Sequence, residues 1–262
     1  MIKQNLKTLE EKSIYIIREA NIKFKNVAAL WSMGKDSTTM LALTRKAFLG
    51  KVPFPVIHID NRIDFPETYS FRESLAKKWN LDLIVAYSEV KPDAIGSACC
   101  GKNKPDTLKK VMKEYGFDAL IVSIRRDEHG IRSKERYMSP RNQKFKWNYK
   151  DQPAELWDDY SSKQEKGGHV RVHPLLDWNE IDVWSYIKQE HVPINPLYIS
   201  RNGFRYRSLG CTHCTVPVKS DAKTVDEIVK ELETTKIEER SGRSMDKENE
   251  YVMQKLRALG YM

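Results

Sequence analysis

Apolar and polar positions alternate in blocks through the first half of the chain. Short apolar runs at residues 27–31, 55–60, 81–87 and 119–123 predict strands. Periodic apolar positions predict helices at 4–24, 66–79, 105–115, 178–189 and 224–237. One more predicted helix begins at the end of a polar loop and extends to about residue 48. Strands that alternate with helices in this way are typical of a parallel sheet with helices on both faces.

The pattern loosens after residue 128. Residues 139–170 are rich in Pro, Asn, Gln, Lys and Gly with few apolar runs, which predicts a mobile loop region beside an active site. Further on, Thr224 followed by Glu227 predicts a capping box at the start of the last helix.

The first strand ends at a small polar loop, and a helix follows at once. Backbone N–H groups at the start of a helix lack partners and carry partial positive charge, so such a corner binds phosphate. A lysine adds a full charge and three hydroxyls add donors; the alternative is a serine-rich turn that holds a lysine by coincidence. The predicted phosphate-binding residues are Ser32, Met33, Gly34, Lys35, Asp36, Ser37 and Thr38.

Polar segments also follow two other predicted strands, at residues 60–62 and 125–128. Ligands on parallel sheets bind at the carboxyl ends of the strands, so we expect these segments to meet the loop at one site. Arg125 and Arg126 offer guanidinium groups, which bind tetrahedral oxyanions through paired hydrogen bonds. Surface salt bridging is the alternative for both arginines.

Composition and charge narrow the class of protein. The 262 residues are 40% hydrophobic, which fits one α/β domain with an appendage. The net charge of +9 attracts phosphate-bearing ligands. The charge alone does not distinguish a surface that binds nucleic acid from a basic surface that is merely solvated. No apolar run approaches the ~18 residues of a membrane helix, and the first residues lack a signal-peptide pattern, so we expect a cytoplasmic protein without membrane contact.

Residues 32–37 resemble the S-G-G-K-D-S pyrophosphate loop of ATP pyrophosphatases, which split ATP between its α and β phosphates. Met33 replaces the first glycine of that loop, a variant associated with the small subunit of sulfate adenylyltransferase. Further matching stretches follow in family order, among them residues 125–128, 173–175 and 239–243. The chain is therefore similar to the phosphoadenosine phosphosulfate (PAPS) reductase family, and within it most similar to that small subunit.

The resemblance implies a fold and a set of roles. The fold is a Rossmann-like, adenine nucleotide α-hydrolase α/β domain at residues 25–190, after an N-terminal helix at 1–24 and before a C-terminal helical and loop extension at 191–262. ATP would place its pyrophosphate on the loop and its adenosine near Asp60, with Mg²⁺ on Asp36 or Asp60, although Asp36 is alternatively a helix N-cap. The implied catalytic residues are Lys35, Asp36, Arg125, Arg126, Arg240 and Arg243.

The four cysteines depart from the adenylyltransferase pattern. Adjacent Cys99 and Cys100, with Cys211 and Cys214 in a C-x-x-C, resemble the [4Fe–4S] site of assimilatory adenylyl-sulfate reductases. Zinc, reduced structural thiols or a redox pair are the alternatives. The C-terminal tail holds no further cysteine, which disfavours reduction through a thiosulfonate intermediate.

Our first hypothesis from the sequence is an ATP pyrophosphatase that activates a DNA-backbone phosphate for sulfur insertion, with DNA and a cysteine desulfurase as partners. The alternative is the small subunit of sulfate adenylyltransferase, which joins ATP and sulfate and works with a GTPase large subunit. A reductase-like enzyme or an iron–sulfur nucleotide sensor is the third hypothesis.

Overall fold

The computed structural model describes residues 2–88, 104–128, 134–148 and 166–235, together with residues 132, 152, 154, 155, 157, 160, 161 and 239. The helices are α1 (Ile2–Lys23), α2 (Lys35–Ala47), α3 (Pro66–Trp79), α4 (Lys104–Glu114), α5 (Glu180–Glu190) and α6 (Val225–Thr234). The strands are β1 (Val27–Leu30), β2 (Val56–Asp60), β3 (Leu83–Tyr87), β4 (Ala119–Ile121), β5 (Met138–Arg141), β6 (His169–Val172), β7 (Phe204–Arg205) and β8 (Val218–Lys219).

Six strands form one sheet in the order β3-β2-β1-β4-β6-β5. Neighbouring strands are parallel except for β5, which runs antiparallel to β6 at the edge. Strand β1 lies in the middle, with Ala29 paired to Val56 on one side and to Ile121 on the other. The polar loop after β1 is therefore at the centre of the carboxyl edge of the sheet.

Both faces of the sheet are covered, as predicted. Val27 and Ala29 belong to a core that includes residues of α1, α2, α3, α5 and α6. Ala28 points to the opposite face, where it joins Leu108 and Val111 of α4. Alternate residues of one strand thus enter different cores, which is the pattern of a strand buried on both sides. The α/β, Rossmann-like fold class is confirmed.

The predicted elements of the first half are found with small shifts at their ends, and α3 has the predicted bounds. The capping box of α6 is also confirmed, because the Thr224 side chain accepts from the N–H of Glu227 and the Glu227 carboxylate accepts from the N–H of Thr224. The domain boundaries at residues 24 and 190 stay a prediction.

The prediction of a loop throughout residues 139–170 is wrong at both ends. Strand β5 begins at Met138 and strand β6 begins at His169, and the two complete the sheet. Pro140 lies within β5 and is tolerated there because β5 is an edge strand, where a missing N–H leaves no central ladder position unpaired.

Within the described residues, none of the helices has the length and apolar character needed to cross a membrane.

Candidate active site

The polar loop joins β1 to α2 and is closed by its own side chains. The Ser37 hydroxyl donates to the carbonyl of Gly34 (3.1 Å) and accepts from the N–H of Ser32 (3.2 Å). The indole N–H of Trp31 donates to the hydroxyl of Thr38 (3.1 Å). These bonds place the loop over the start of α2, where the first N–H groups have no partner within the helix. The geometry is that of an anion site.

The backbone at Met33 explains why related loops carry glycine there. Met33 has a φ of 58°, in the left-handed region that glycine adopts without a penalty. Its side chain is buried in the core beneath the loop. Burial of an apolar side chain therefore offsets the backbone strain of a non-glycine residue at this turn.

Lys35 and Asp36 lie in the first turn of α2. Gly34 occupies the N-cap, so the alternative interpretation of Asp36 as the N-cap is wrong. The Asp36 carboxylate instead accepts from the ammonium group of Lys35 (3.1 Å) and from the guanidinium group of Arg125. The backbone N–H of Lys35 donates to the hydroxyl of Tyr198 (2.9 Å).

A carboxylate that the sequence did not reveal completes this network. Glu239 binds the ammonium group of Lys35 through one oxygen and the guanidinium group of Arg125 (2.5 Å) through the other. The side chains of Lys35, Arg125 and Glu239 are 1%, 0% and 7% exposed. A buried anion therefore lies against the two cations that the sequence assigned to ATP and oxyanion chemistry.

The network keeps Lys35 and Glu239 charged. Burial alone would raise the pKa of Glu239, but Lys35 and Arg125 outweigh it and hold that pKa well below its usual value. Burial alone would likewise lower the pKa of Lys35, but Asp36 and Glu239 outweigh it and raise that pKa. Asp127 accepts from the Nε of Arg125 (2.9 Å) and from the N–H that begins α5 (2.9 Å), and so orients the guanidinium group.

A cavity of about 400 Å³ opens beside the loop at the carboxyl ends of β1, β2 and β4. Its polar wall contains Ser32, Lys35, Asp36 and Ser37, and its apolar wall contains Ile59, Leu108 and Val122. Phosphate-binding and apolar surfaces in one cavity of this size are suited to a nucleotide. The predicted convergence of polar segments at this edge is thus observed for the loop and for residues 125–128, since Glu128 lines the cavity and Arg125 binds Asp36, whereas residues 60–62 are not among the lining residues.

The same cavity has basic side chains that the sequence did not single out as ligands. Arg132 and Arg171 both line it. Arg132 binds the carboxylate of Glu128, whereas Arg171 has no ion pair within the described part of the chain, and its Nε has no hydrogen-bond partner there. Burial lowers the pKa of Arg171, and the nearby Arg132 adds to this effect, while the Glu135 carboxylate opposes it. A partly buried guanidinium group with no ion pair in the part of the chain that the structure describes favours an anionic ligand.

Asp60 is positioned by three donors. Its carboxylate accepts from the Arg72 guanidinium group (2.8 Å), the Tyr69 hydroxyl (3.2 Å) and the N–H of Arg62 (2.7 Å). Burial would raise the pKa of Asp60, but these hydrogen bonds lower it. The neighbouring His58 and Asp64 line the cavity. Asp60 therefore organises this wall, and its adenosine-binding role stays a prediction.

The other predicted arginines are not brought to the loop by the described residues. Arg126 turns away from Arg125, binds the carboxylate of Asp177 and donates to the carbonyl of Glu135 (3.3 Å). Arg240 and Arg243 lie outside the described residues, although the adjoining Glu239 enters the site.

Sequence comparison decides the family. The phosphoadenosine phosphosulfate reductase domain matches residues 26–217 of the chain. The chain belongs to the PAPS reductase family. Sulfate adenylyltransferase subunit 2 of Pseudomonas paraeruginosa is 40% identical to this family member, over 98% of each chain. The subunit 2 of Stutzerimonas stutzeri is 39% identical, again over 98% of each chain.

Structural comparison agrees on the fold. PAPS reductase from Candida auris, solved as a phosphate complex, has a TM-score of 0.54 to this PAPS reductase family member at 20% identity, covering 82% of this chain and 96% of its own. At that identity the likeness concerns the fold alone. The family and the sequence relatives indicate an ATP-using enzyme of sulfur chemistry. These relatives give no support to our first hypothesis of DNA-backbone sulfur insertion with DNA and a cysteine desulfurase.

The C-x-x-C of this family member lies beside the cavity, since residues 208–210 line it. Cys211 and Cys214 are buried, and neither forms a disulfide within the described part of the chain. The N–H of Cys214 and the hydroxyl of Thr215 both donate to the carbonyl of Cys211, which places the two cysteines on one tight turn. Cys99 and Cys100 lie outside the described residues, so the four-cysteine set stays a prediction.

Proposed function

We propose that the chain is the catalytic small subunit of a sulfate adenylyltransferase, which converts ATP and sulfate to adenylyl sulfate and pyrophosphate. The observation that carries the proposal is the cavity itself, which is lined both by the loop after β1 and by Arg171, a guanidinium group with no ion pair among the described residues. The near-full-length relatives named as sulfate adenylyltransferase subunits support it.

In the proposed reaction a sulfate oxygen attacks the α-phosphorus of ATP. A bond forms between that oxygen and the phosphorus, the bond from the phosphorus to the bridging oxygen breaks, and the bond's electron pair leaves with pyrophosphate. Negative charge grows on the leaving group, so fixed positive charge accounts for most of the catalysis. No protein nucleophile or proton transfer is required.

The cavity residues can be assigned to the parts of ATP and sulfate that their charge or polarity suits. The start of α2 and Lys35 would bind the leaving pyrophosphate, and Arg125 would join them once Glu239 has left it. Arg171, with Arg132 beside it, would hold sulfate for attack. The apolar wall at Ile59, Leu108 and Val122 would take the adenine ring.

Mg²⁺ bound with ATP supplies further positive charge at the phosphates. Asp36 fits as its ligand, because its carboxylate lines the cavity beside the loop. Asp60 fits less well, since it is not among the residues that line the cavity. For the partner, a GTPase large subunit is implied by the resemblance and agrees with the name "subunit 2" of the relatives.

The proposal is tested through Arg171. We expect Arg171→Gln to raise the KM for sulfate by roughly 10- to 100-fold, the cost of losing one charged hydrogen-bonding group, and to leave the KM for ATP nearly unchanged. Arg171→Lys should recover part of the loss. Arg201→Gln, which removes a charge from an exposed ion pair with Glu67, is the control. An unchanged KM for sulfate in Arg171→Gln would contradict the assignment.

We also propose that the cysteines bind an iron–sulfur cluster. Two buried thiols on one turn fit half of a four-thiolate site, and their position beside residues 208–210 would link the cluster to the cavity wall. We assign the cluster no step in adenylyl transfer.

A further inference from the structure

The hydroxyl of Tyr198 lies at the start of α2, against the loop that follows β1. It accepts the backbone N–H of Lys35, the first residue of that helix, at 2.9 Å. A Cβ atom placed on Gly34, the N-cap, would lie 3.5 Å from this hydroxyl and 3.4 Å from the Oγ atom of Ser32. The two hydroxyl groups therefore flank a small polar space over the glycine of the loop.

The side chain of Tyr198 is held in place by the connection after α5. Tyr198 ends a short 3-10 helix whose N-cap, Asn195, accepts from a backbone N–H in the same turn (3.1 Å). Asn195 also donates to the hydroxyl of Thr68 in α3 (3.0 Å). The ring of Tyr198 is 1% exposed and meets the ring of Trp184 edge-on, with 5.2 Å between the centroids. A polar group fixed in this way binds a ligand with little rearrangement.

The hydrogen bond with Lys35 leaves the proton of the Tyr198 hydroxyl available. A phenolic hydroxyl has one donor and two lone pairs, and a backbone N–H can only donate, so this bond uses a lone pair. Burial raises the pKa of Tyr198, so the proton stays on the oxygen at neutral pH. The carboxylates of Asp36 and Glu239 act on Tyr198 electrostatically, but within the described residues they accept from Lys35 and Arg125 instead. Tyr198 lines the cavity with a donor that no described residue accepts.

We propose that the Tyr198 hydroxyl donates a hydrogen bond to an oxygen of the pyrophosphate that leaves ATP, which makes Tyr198 a further catalytic residue. This inference rests on the proposed function, since it concerns the leaving group at the same loop. The N–H of Lys35 polarises the hydroxyl and so strengthens it as a donor. Negative charge on the pyrophosphate oxygens grows as the bond to the α-phosphorus breaks, so the hydrogen bond is stronger in the transition state than in bound ATP. The proton stays on Tyr198 throughout.

Tyr198→Phe tests this contact, with pyrophosphate and AMP as the two probes in calorimetric titrations of the full-length chain. Loss of a hydrogen bond to a charged group should lower the affinity for pyrophosphate by about 10- to 100-fold. AMP lacks the β and γ phosphates, so its affinity should stay close to that of the unaltered chain. If the hydroxyl serves only to pair the N–H of Lys35, its removal disturbs the whole loop and weakens both ligands alike, which would overturn the proposal.

Replacement of Tyr198 by 3-fluorotyrosine tests the direction of the hydrogen bond and keeps the fold if Tyr198→Phe fails to fold. Fluorine makes the phenol more acidic, which strengthens the hydroxyl as a donor and weakens it as an acceptor. We expect pyrophosphate to bind about twofold or more tightly to the fluorinated protein. Equal or weaker binding would contradict the proposal, because a hydroxyl that only accepts from Lys35 gains nothing from fluorination.

Tyr137→Phe is the matched control. Tyr137 is also a buried tyrosine, but its hydroxyl donates to the carboxylate of Asp177, and it is not among the residues that line the cavity. The control should bind pyrophosphate as the unaltered chain does, and a loss in Tyr198→Phe no larger than the loss in the control would overturn the proposal. Pyrophosphate leaves ATP whatever the acceptor is. Absence of sulfate-dependent release would therefore reject sulfate as the acceptor and leave the pyrophosphate results for Tyr198 standing.

Discussion

The contact of Glu239 with the phosphate loop leads to a linked prediction about stability and affinity. Glu239 neutralises Lys35 and Arg125, and the same two cations are the proposed ligands of the leaving pyrophosphate. Phosphate can reach them only after the carboxylate has left. Glu239→Gln keeps the size of the side chain and removes its charge, so it separates these two effects.

The magnitude follows from the burial of the network. Removing one partner of a buried ion pair costs about 3–5 kcal/mol, and the amide of Gln recovers part of this through hydrogen bonds, which leaves about 2–3 kcal/mol. That loss applies to the nucleotide-free protein. In the proposed phosphate-bound state the side chain would have left the loop, so the loss there would be near zero. The thermodynamic cycle then gives a gain in pyrophosphate affinity of about 30- to 150-fold.

Urea unfolding and calorimetric titration with pyrophosphate measure the two sides of this cycle. Glu239→Gln should unfold at lower urea concentration without ligand and bind pyrophosphate more tightly. Glu231→Gln is the control, because Glu231 binds the buried Arg205 away from the cavity and should change stability alone. If Glu239→Gln loses stability with no gain in pyrophosphate affinity, the carboxylate does not compete with phosphate and the reasoning fails.

Three further predictions concern the loop, the buried histidines and the cysteines. Because Met33 has a positive φ, Met33→Gly should be more stable than Met33→Ala by about 1 kcal/mol in urea unfolding, and the reverse order would contradict the strained turn. Burial lowers the pKa values of His169 and His173 to about 4, so the unfolded chain binds more protons than the folded chain between pH 6.5 and pH 4. The contribution of these histidines to the free energy of unfolding is therefore complete above pH 6.5 and is lost as the pH falls toward 4. His169→Gln should reduce the slope of unfolding free energy against pH by about 1.4 kcal/mol per unit near pH 5, and an unchanged slope would contradict neutral burial. Anaerobically purified protein should be brown and contain about four irons per chain, and Cys211→Ser with Cys214→Ser should remove them; a colourless, iron-free protein would contradict the cluster.

Much of the first half of the chain could be predicted from local pattern. Buried parallel strands are continuous apolar runs, and the loop between β1 and α2 joins a strand to a helix within a few residues. Strands β5 and β6 were not predicted because they lack such a pattern. Each has four residues, includes an arginine and lies toward the edge, so neither presents an apolar run.

The site residues that were missed depend on contacts between distant parts of the chain. Glu239 stands in a charged stretch typical of a solvated surface, and no local signal shows that it meets Lys35, which lies 204 residues earlier. Arg171 alternates with the buried Val170 and Val172, a period of two that could have placed it on the other face of a strand. Arg126 was grouped with Arg125 by adjacency, but the two side chains bind different partners.

The central claim is that this cavity adenylates sulfate, and pyrophosphate release from ATP tests it most directly. Release should be measured for the chain alone and with its large-subunit partner, with sulfate, with DNA, and with neither. Our account predicts release that requires sulfate, yields adenylyl sulfate in equal amount and is abolished by Lys35→Ala. Release that DNA stimulates and sulfate does not affect, or that persists in Lys35→Ala, would contradict it.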